Sequence, residues 1–103
     1  MKLFISQPMK DKSEEEIKEE RENIIAHCKE MYGNELEVID SYFPDYNPDT
    51  GCVPLKYLSK SLELLADADV AYFAKGWENA RGCKIENTCA IEYGIEVVED
   101  YRK

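Results

Sequence analysis

Four short apolar runs alternate along this chain with three stretches of helical periodicity, and that alternation constrains the fold more than any other feature. Residues 2–6, Lys-Leu-Phe-Ile-Ser, suit a buried strand that ends at Gln7-Pro8. Ser13, followed three residues on by Glu16, fits a capping box. Ile17, Ile24, Ile25, Cys28, Met31 and Tyr32 then recur at helical spacing up to Gly33. Leu36 to Asp40 read as a second strand, and Ser41 to Pro54 as a long loop carrying three prolines and one glycine. Leu55, Leu58, Leu62 and Leu65 mark a second helix that runs into Ala66, and Asp69 to Ala74 a third strand. After the loop Lys75 to Asn79, a helix starting at Ala80 or Arg81 runs to Tyr93 and closes on Gly94, before a last strand over Ile95 to Val98.

A β-α-β-α-β-α-β order requires right-handed crossovers and a parallel sheet. We therefore expect one α/β domain over residues 1–103, with a short sheet of four or five strands ordered 2-1-3-4 and helices on both faces. Ligands of such sheets bind in the crevice beyond the strand carboxyl ends. No apolar run reaches the roughly 18–20 residues of a membrane span, and the N-terminus lacks a secretory signal, so no membrane partner and a cytoplasmic location are expected. A net charge of −9 repels a nucleic-acid polymer but leaves room for a small anion bound locally. Cys28, Cys52, Cys83 and Cys89 form no Cys-x-x-Cys pair and the single histidine, His27, lies mid-helix, so reduced thiols and no metal are expected. P-loop, dinucleotide and nucleophile-elbow motifs are absent, and no cofactor is expected.

Three loops converge on the crevice: Ser6 to Lys12, Ser41 to Pro54 and Lys75 to Asn79. Trp77 offers a stacking face, while Asn79, Arg81 and Gly82 surround a helix N-terminus whose free amides suit an anion. Glu86 lies one turn beyond Gly82 on the same helix face. Spacing alone leaves Gly82 equally suited to helix-to-sheet packing and Glu86 to a surface position, and a lone tryptophan such as Trp77 is more often a packing residue.

Phe4-Ile5-Ser6-Gln7-Pro8-Met9, Ala68-Asp69-Val70-Ala71 and the stretch from Ala80-Arg81-Gly82-Cys83 through Glu86 to Tyr93-Gly94 together resemble the nucleoside 2-deoxyribosyltransferase superfamily. The likeness spans nearly the whole chain, and is greatest to a small branch found in bacteria and their phages. It implies a Rossmann-like or flavodoxin-like three-layer sandwich and a nucleoside or nucleotide as small-molecule partner. It also implies a homodimer or larger homo-oligomer, with Tyr42, Phe43 and Tyr46 as candidates for its interface. By the same resemblance Glu86 is the nucleophile that attacks the anomeric carbon, a chemistry suited to an oxocarbenium-like transition state. Ser6, Gln7, Pro8 and Met9 with Asn79, Arg81 and Gly82 then hold sugar and phosphate, and Trp77 or Tyr42 brackets the base.

The sequence departs from the family at three points. Ser61 stands where the family usually carries an aspartate, Ala80 where an aspartate or phosphate-binding serine is usual, and Gln7 replaces a common glycine. A missing acid implies slow turnover. The same residues fit a second reading, a non-catalytic binding protein or sensor for a nucleotide-like ligand.

Overall fold

The structure, a computed structural model, describes residues 1–100. Its elements are β1 (Lys2–Ser6), α1 (Glu14–Tyr32), β2 (Glu37–Val38), α2 (Val53–Leu65), β3 (Val70–Phe73), α3 (Arg81–Glu92) and β4 (Glu96–Glu99). A short 3₁₀ turn, Trp77–Asn79, precedes α3. The four strands form one sheet in the order β2-β1-β3-β4, and every neighbouring pair is parallel. This is the doubly wound three-layer arrangement that the alternation of elements demands.

Strand alternation sorts the core into two layers. Leu3 and Ile5 of β1, with Val70, Tyr72 and Ala74 along and just beyond β3, pack against Ile24 and Cys28 of α1. The intervening residues Phe4, Ala71 and Phe73 face the other way, against Leu65 of α2 and Cys83 and Ala90 of α3. Phe4 and Phe73 are almost wholly buried, each worth about 2–3 kcal/mol of apolar transfer. Ser6, two residues beyond Phe4 and in register with Phe73, therefore shares the face covered by α2 and α3.

The helix starts follow local chemistry. Ser13 Oγ accepts from Glu16 N–H at 3.1 Å and Glu16 Oε1 accepts from Ser13 N–H at 3.0 Å, the reciprocal box expected from the sequence. Ser13→Ala removes one of these partners and is expected to cost about 1 kcal/mol, read as a lower midpoint in urea at unchanged slope. An unchanged midpoint would show that the box contributes nothing. Helix α2 begins at Val53, two residues before the expected Leu55, because Pro54 sits in its first turn, where a missing N–H leaves no helix bond unmade. Ladder pairing in β2 is confined to Glu37 and Val38, shorter than the apolar run that marks it.

Among the described residues no helix is long and apolar enough to cross a membrane. Nor do any three His, Cys, Asp or Glu side chains among them gather to hold a metal. All four cysteines are free thiols.

Candidate functional site

Beyond the carboxyl ends of β1 and β2, on the α2/α3 face, lies a cleft of about 810 Å³. That is within the roughly 300–1,000 Å³ typical of small-molecule sites. The end of β1 and the following residues Gln7 to Lys10 form one side. Ser41 to Pro44 form a second, Pro54, Leu55, Tyr57, Leu58 and Ser61 of α2 a third, and Ala80 to Cys83 with Glu86 a fourth. Of the residues expected from the sequence, Ser6, Gln7, Pro8, Met9, Tyr42, Ser61, Arg81, Gly82 and Glu86 meet here.

Glu86 is the chemical centre of the cleft. Helix α3 buries Cys83, Glu86, Asn87 and Ala90, a stripe at spacing i, i+3, i+4, i+7, so Glu86 stands on the helix face that packs toward the sheet. Only 6% of it is exposed. Ser6 Oγ donates to Glu86 Oε1 at 2.7 Å, and the Ser61 hydroxyl of α2, which also lines the cleft, favours the charged form of the carboxyl group. Burial dominates and pushes the Glu86 pKa up to about 7; the two hydroxyls, which favour the charged form, oppose it. Cys83 beside it is held as an inert thiol, since burial pushes its pKa up to about 11.

Both alternatives left open by spacing are resolved in geometry. Glu86 is not a surface residue, and a Cβ built on Gly82 would meet no atom within 4 Å, so helix-to-sheet packing does not require that glycine. Its bare backbone instead leaves room beside the first turn of α3. Ala80 caps that turn with no side-chain hydrogen bond, which leaves the leading amides to solvent or a ligand.

Trp77 and Asn79 do not line the cleft. Gly76, in the left-handed conformation at φ 86°, turns the chain back, and the indole packs into the core 5.7 Å from the Phe73 ring, with 8% exposed. Its apolar area is used in the α2/α3 layer, not as an open stacking face. Asn79 ends the 3₁₀ turn and is exposed. The aromatic group Phe43, Tyr46 and Tyr57 is self-packed: Phe43 stacks on Tyr57, Tyr46 meets both edge-on, and Lys60 lies over Phe43 and Tyr46. Tyr57 also donates its hydroxyl to the Tyr46 carbonyl. Tyr42 and Phe43 remain in the cleft wall.

Gln7 is buried and its side chain reaches away from Glu86. Nε2 donates to the Ile17 carbonyl at 2.9 Å and to Glu20 Oε1 at 3.0 Å, tying the first loop to α1, while Oε1 is buried without a hydrogen-bond partner. Sequence reasoning missed Ser41, Tyr57 and Asn87. Asn87 Nδ2 donates to Glu99 Oε2 at 2.9 Å, joining α3 to β4. The signal for Asn87 was present, since two polar residues, Glu86 and Asn87, interrupt an otherwise apolar buried stripe. His27 lies across the sheet from the cleft, in edge contact with Tyr72 at 6.4 Å. Comparison with protein families, with curated proteins and with solved structures finds no match to the chain.

Proposed function

We propose that this protein cleaves the N-glycosidic bond of a 2′-deoxynucleoside or its 5′-monophosphate, with Glu86 as nucleophile. The observation that carries this reading is a single buried carboxyl group, held by the Ser6 hydroxyl, in a nucleotide-sized cleft at the carboxyl end of a parallel sheet. In the ground state the charge of Glu86 is poorly solvated. A sugar that develops positive charge at its anomeric carbon supplies the missing counter-charge only as the bond breaks, so the interaction strengthens in the transition state. The carboxylate oxygen forms a bond to C1′ while the C1′–N bond pair leaves with the base, which takes a proton from the solvent-open mouth of the cleft. Water, or a second base, then displaces Glu86 from the sugar.

The remaining walls suit the rest of such a substrate. Tyr42, Phe43, Pro44, Tyr57 and Leu58 offer an apolar flank for a planar base. In a chain with 22 acids and 13 bases, the cleft's described lining holds two cations, Lys10 and Arg81, against one acid, Glu86. That local balance favours a substrate carrying a phosphate. Ser61 in place of a carboxylate leaves Glu86 without a second acid, which supports slow turnover.

The test is release of free base, followed by chromatography at enzyme concentrations that reveal a single turnover. The four deoxynucleosides and their monophosphates are offered in turn, with and without an acceptor base. Release from at least one substrate is expected. Binding of a monophosphate without any release would replace this reading with that of a non-catalytic nucleotide-binding protein.

A further inference from the structure

Strand β2 leaves the sheet one rung early, and its departure is held by a side chain. The β1–β2 ladder runs from Glu37 N–H to the Met1 carbonyl at 3.0 Å and from Ile39 N–H to the Leu3 carbonyl at 2.8 Å. Two residues on, the next rung of a parallel ladder is Ser41 N–H to the Ile5 carbonyl. The Ser41 side chain fills that rung instead, its Oγ donating to Ile5 O at 3.0 Å. The main chain is thereby free to turn at Ser41, directly before Tyr42, Phe43 and Pro44 enter the cleft wall.

Arg21 of α1 fixes this arrangement. Its Nη1 donates to Ser41 Oγ at 3.1 Å and its Nη2 to the Ile39 carbonyl at 2.9 Å. A hydroxyl has one proton, so with Arg21 donating to its oxygen the Ser41 proton is directed at Ile5. The planar guanidinium holds two acceptors two residues apart, which a lysine ammonium does less rigidly. None of the ion pairs among the described residues involves Arg21, so both arms serve the departing strand. Ile5, the residue that receives the tether, immediately precedes Ser6, which donates to Glu86.

We propose that Arg21, acting through Ser41, is a positioning residue that sets where the Tyr42–Phe43–Pro44 wall stands relative to Glu86. It governs how tightly substrate is held and leaves the bond-breaking step to Glu86. The assignment of an effect on substrate rests on the glycosidase reading above; the tether itself does not.

The experiment compares wild type with Arg21→Ala, Arg21→Lys and Ser41→Ala in two measurements. In steady-state base release, Arg21→Ala is expected to raise KM by about tenfold or more, the scale of losing hydrogen bonds to a charged group, with kcat within about twofold. Arg21→Lys, keeping one donor, falls between, and Ser41→Ala moves KM in the same direction. In hydrogen exchange, the amides of Ile39 and Tyr46, which donate to the Leu3 and Phe43 carbonyls, are expected to exchange at least about tenfold faster in Arg21→Ala, while those of β1, β3 and α3 keep wild-type protection. An unchanged KM, a fall in kcat alone, or a loss of protection spread over the whole sheet overturns the proposal. Should Arg21→Ala fail to fold, Arg21→Lys and Ser41→Ala decide by the same criteria. If wild type releases no base but the exchange result holds, the glycosidase reading fails and the tether stands. If base is released and exchange at Ile39 and Tyr46 does not change, the tether fails and the glycosidase reading stands.

Discussion

Glu86→Gln is expected to make the protein more stable, and the gain is expected to grow with pH. The carboxyl group has a pKa near 4.5 in the unfolded chain and about 7 in the folded one. Between those values the folded state holds a proton that the unfolded state has lost, so wild-type stability falls as pH rises through this window and levels off above about 7. The full difference corresponds to about 3 kcal/mol. Glutamine keeps the shape of the neutral acid and cannot ionise, so this contribution to the pH dependence is absent from the variant. At pH 8 the variant is expected to be more stable by about 3 kcal/mol, a midpoint shift on the order of 10–20 °C for a domain of this size. At pH 4 the two proteins are expected to match closely. Denaturant titrations at both pH values decide the matter; an equal gain at pH 4 and pH 8, or a loss at pH 8, would show that Glu86 does not ionise at such a cost.

The same substitution is expected to lower base release by about 10³-fold or more, because a carboxamide cannot form the glycosyl ester. On the proposed reading, wild-type base release is expected to carry the signature of the same group. A nucleophile must be ionised, and with a pKa of about 7 roughly nine-tenths of Glu86 is charged at pH 8 but only about one-hundredth at pH 5. The ratio kcat/KM for base release is therefore expected to fall close to 100-fold between those two pH values, along a single limb centred near 7. Activity that rises toward acid would make Glu86 a proton donor and remove its role as nucleophile. That pair of outcomes would tie chemistry to stability, since the proposed nucleophile is a group whose charged form burial disfavours.

The strand order, the parallel pairing and the faces of the helices were legible because they depend on periodicity, which a short sequence displays openly. Ser6 is an instance: once Phe4 faces one layer, Ser6 must face the same layer, and α2 and α3 both cover it. Ser61 stood out only through the resemblance, and its place in the same cleft as Glu86 depends on the approach of two helices, which no local spacing encodes. Trp77 took the packing position that a lone tryptophan more often has. A loop tryptophan next to a glycine suits a stacking face, but one left-handed turn at Gly76 was enough to send the indole into the core. Arg21 gave no signal at all, since its acceptors are a carbonyl and a serine some 20 residues away. Composition could not distinguish it from a solvated helix charge.

The two outer strands also determine how this chain meets its own copies. An exposed sheet edge is a template for further strands, and proteins guard against this with short edges and charged residues. Here β2 offers only Glu37 and Val38, and β4 begins and ends with Glu96 and Glu99, so both margins of the sheet are brief and acidic in a chain of net charge −9. Two copies brought edge to edge would set carboxylate against carboxylate before a ladder could form. The sheet is thereby self-limiting at four strands, and crowding or partial unfolding of the helices would have to overcome that repulsion before continuous β-structure could spread from one molecule to the next.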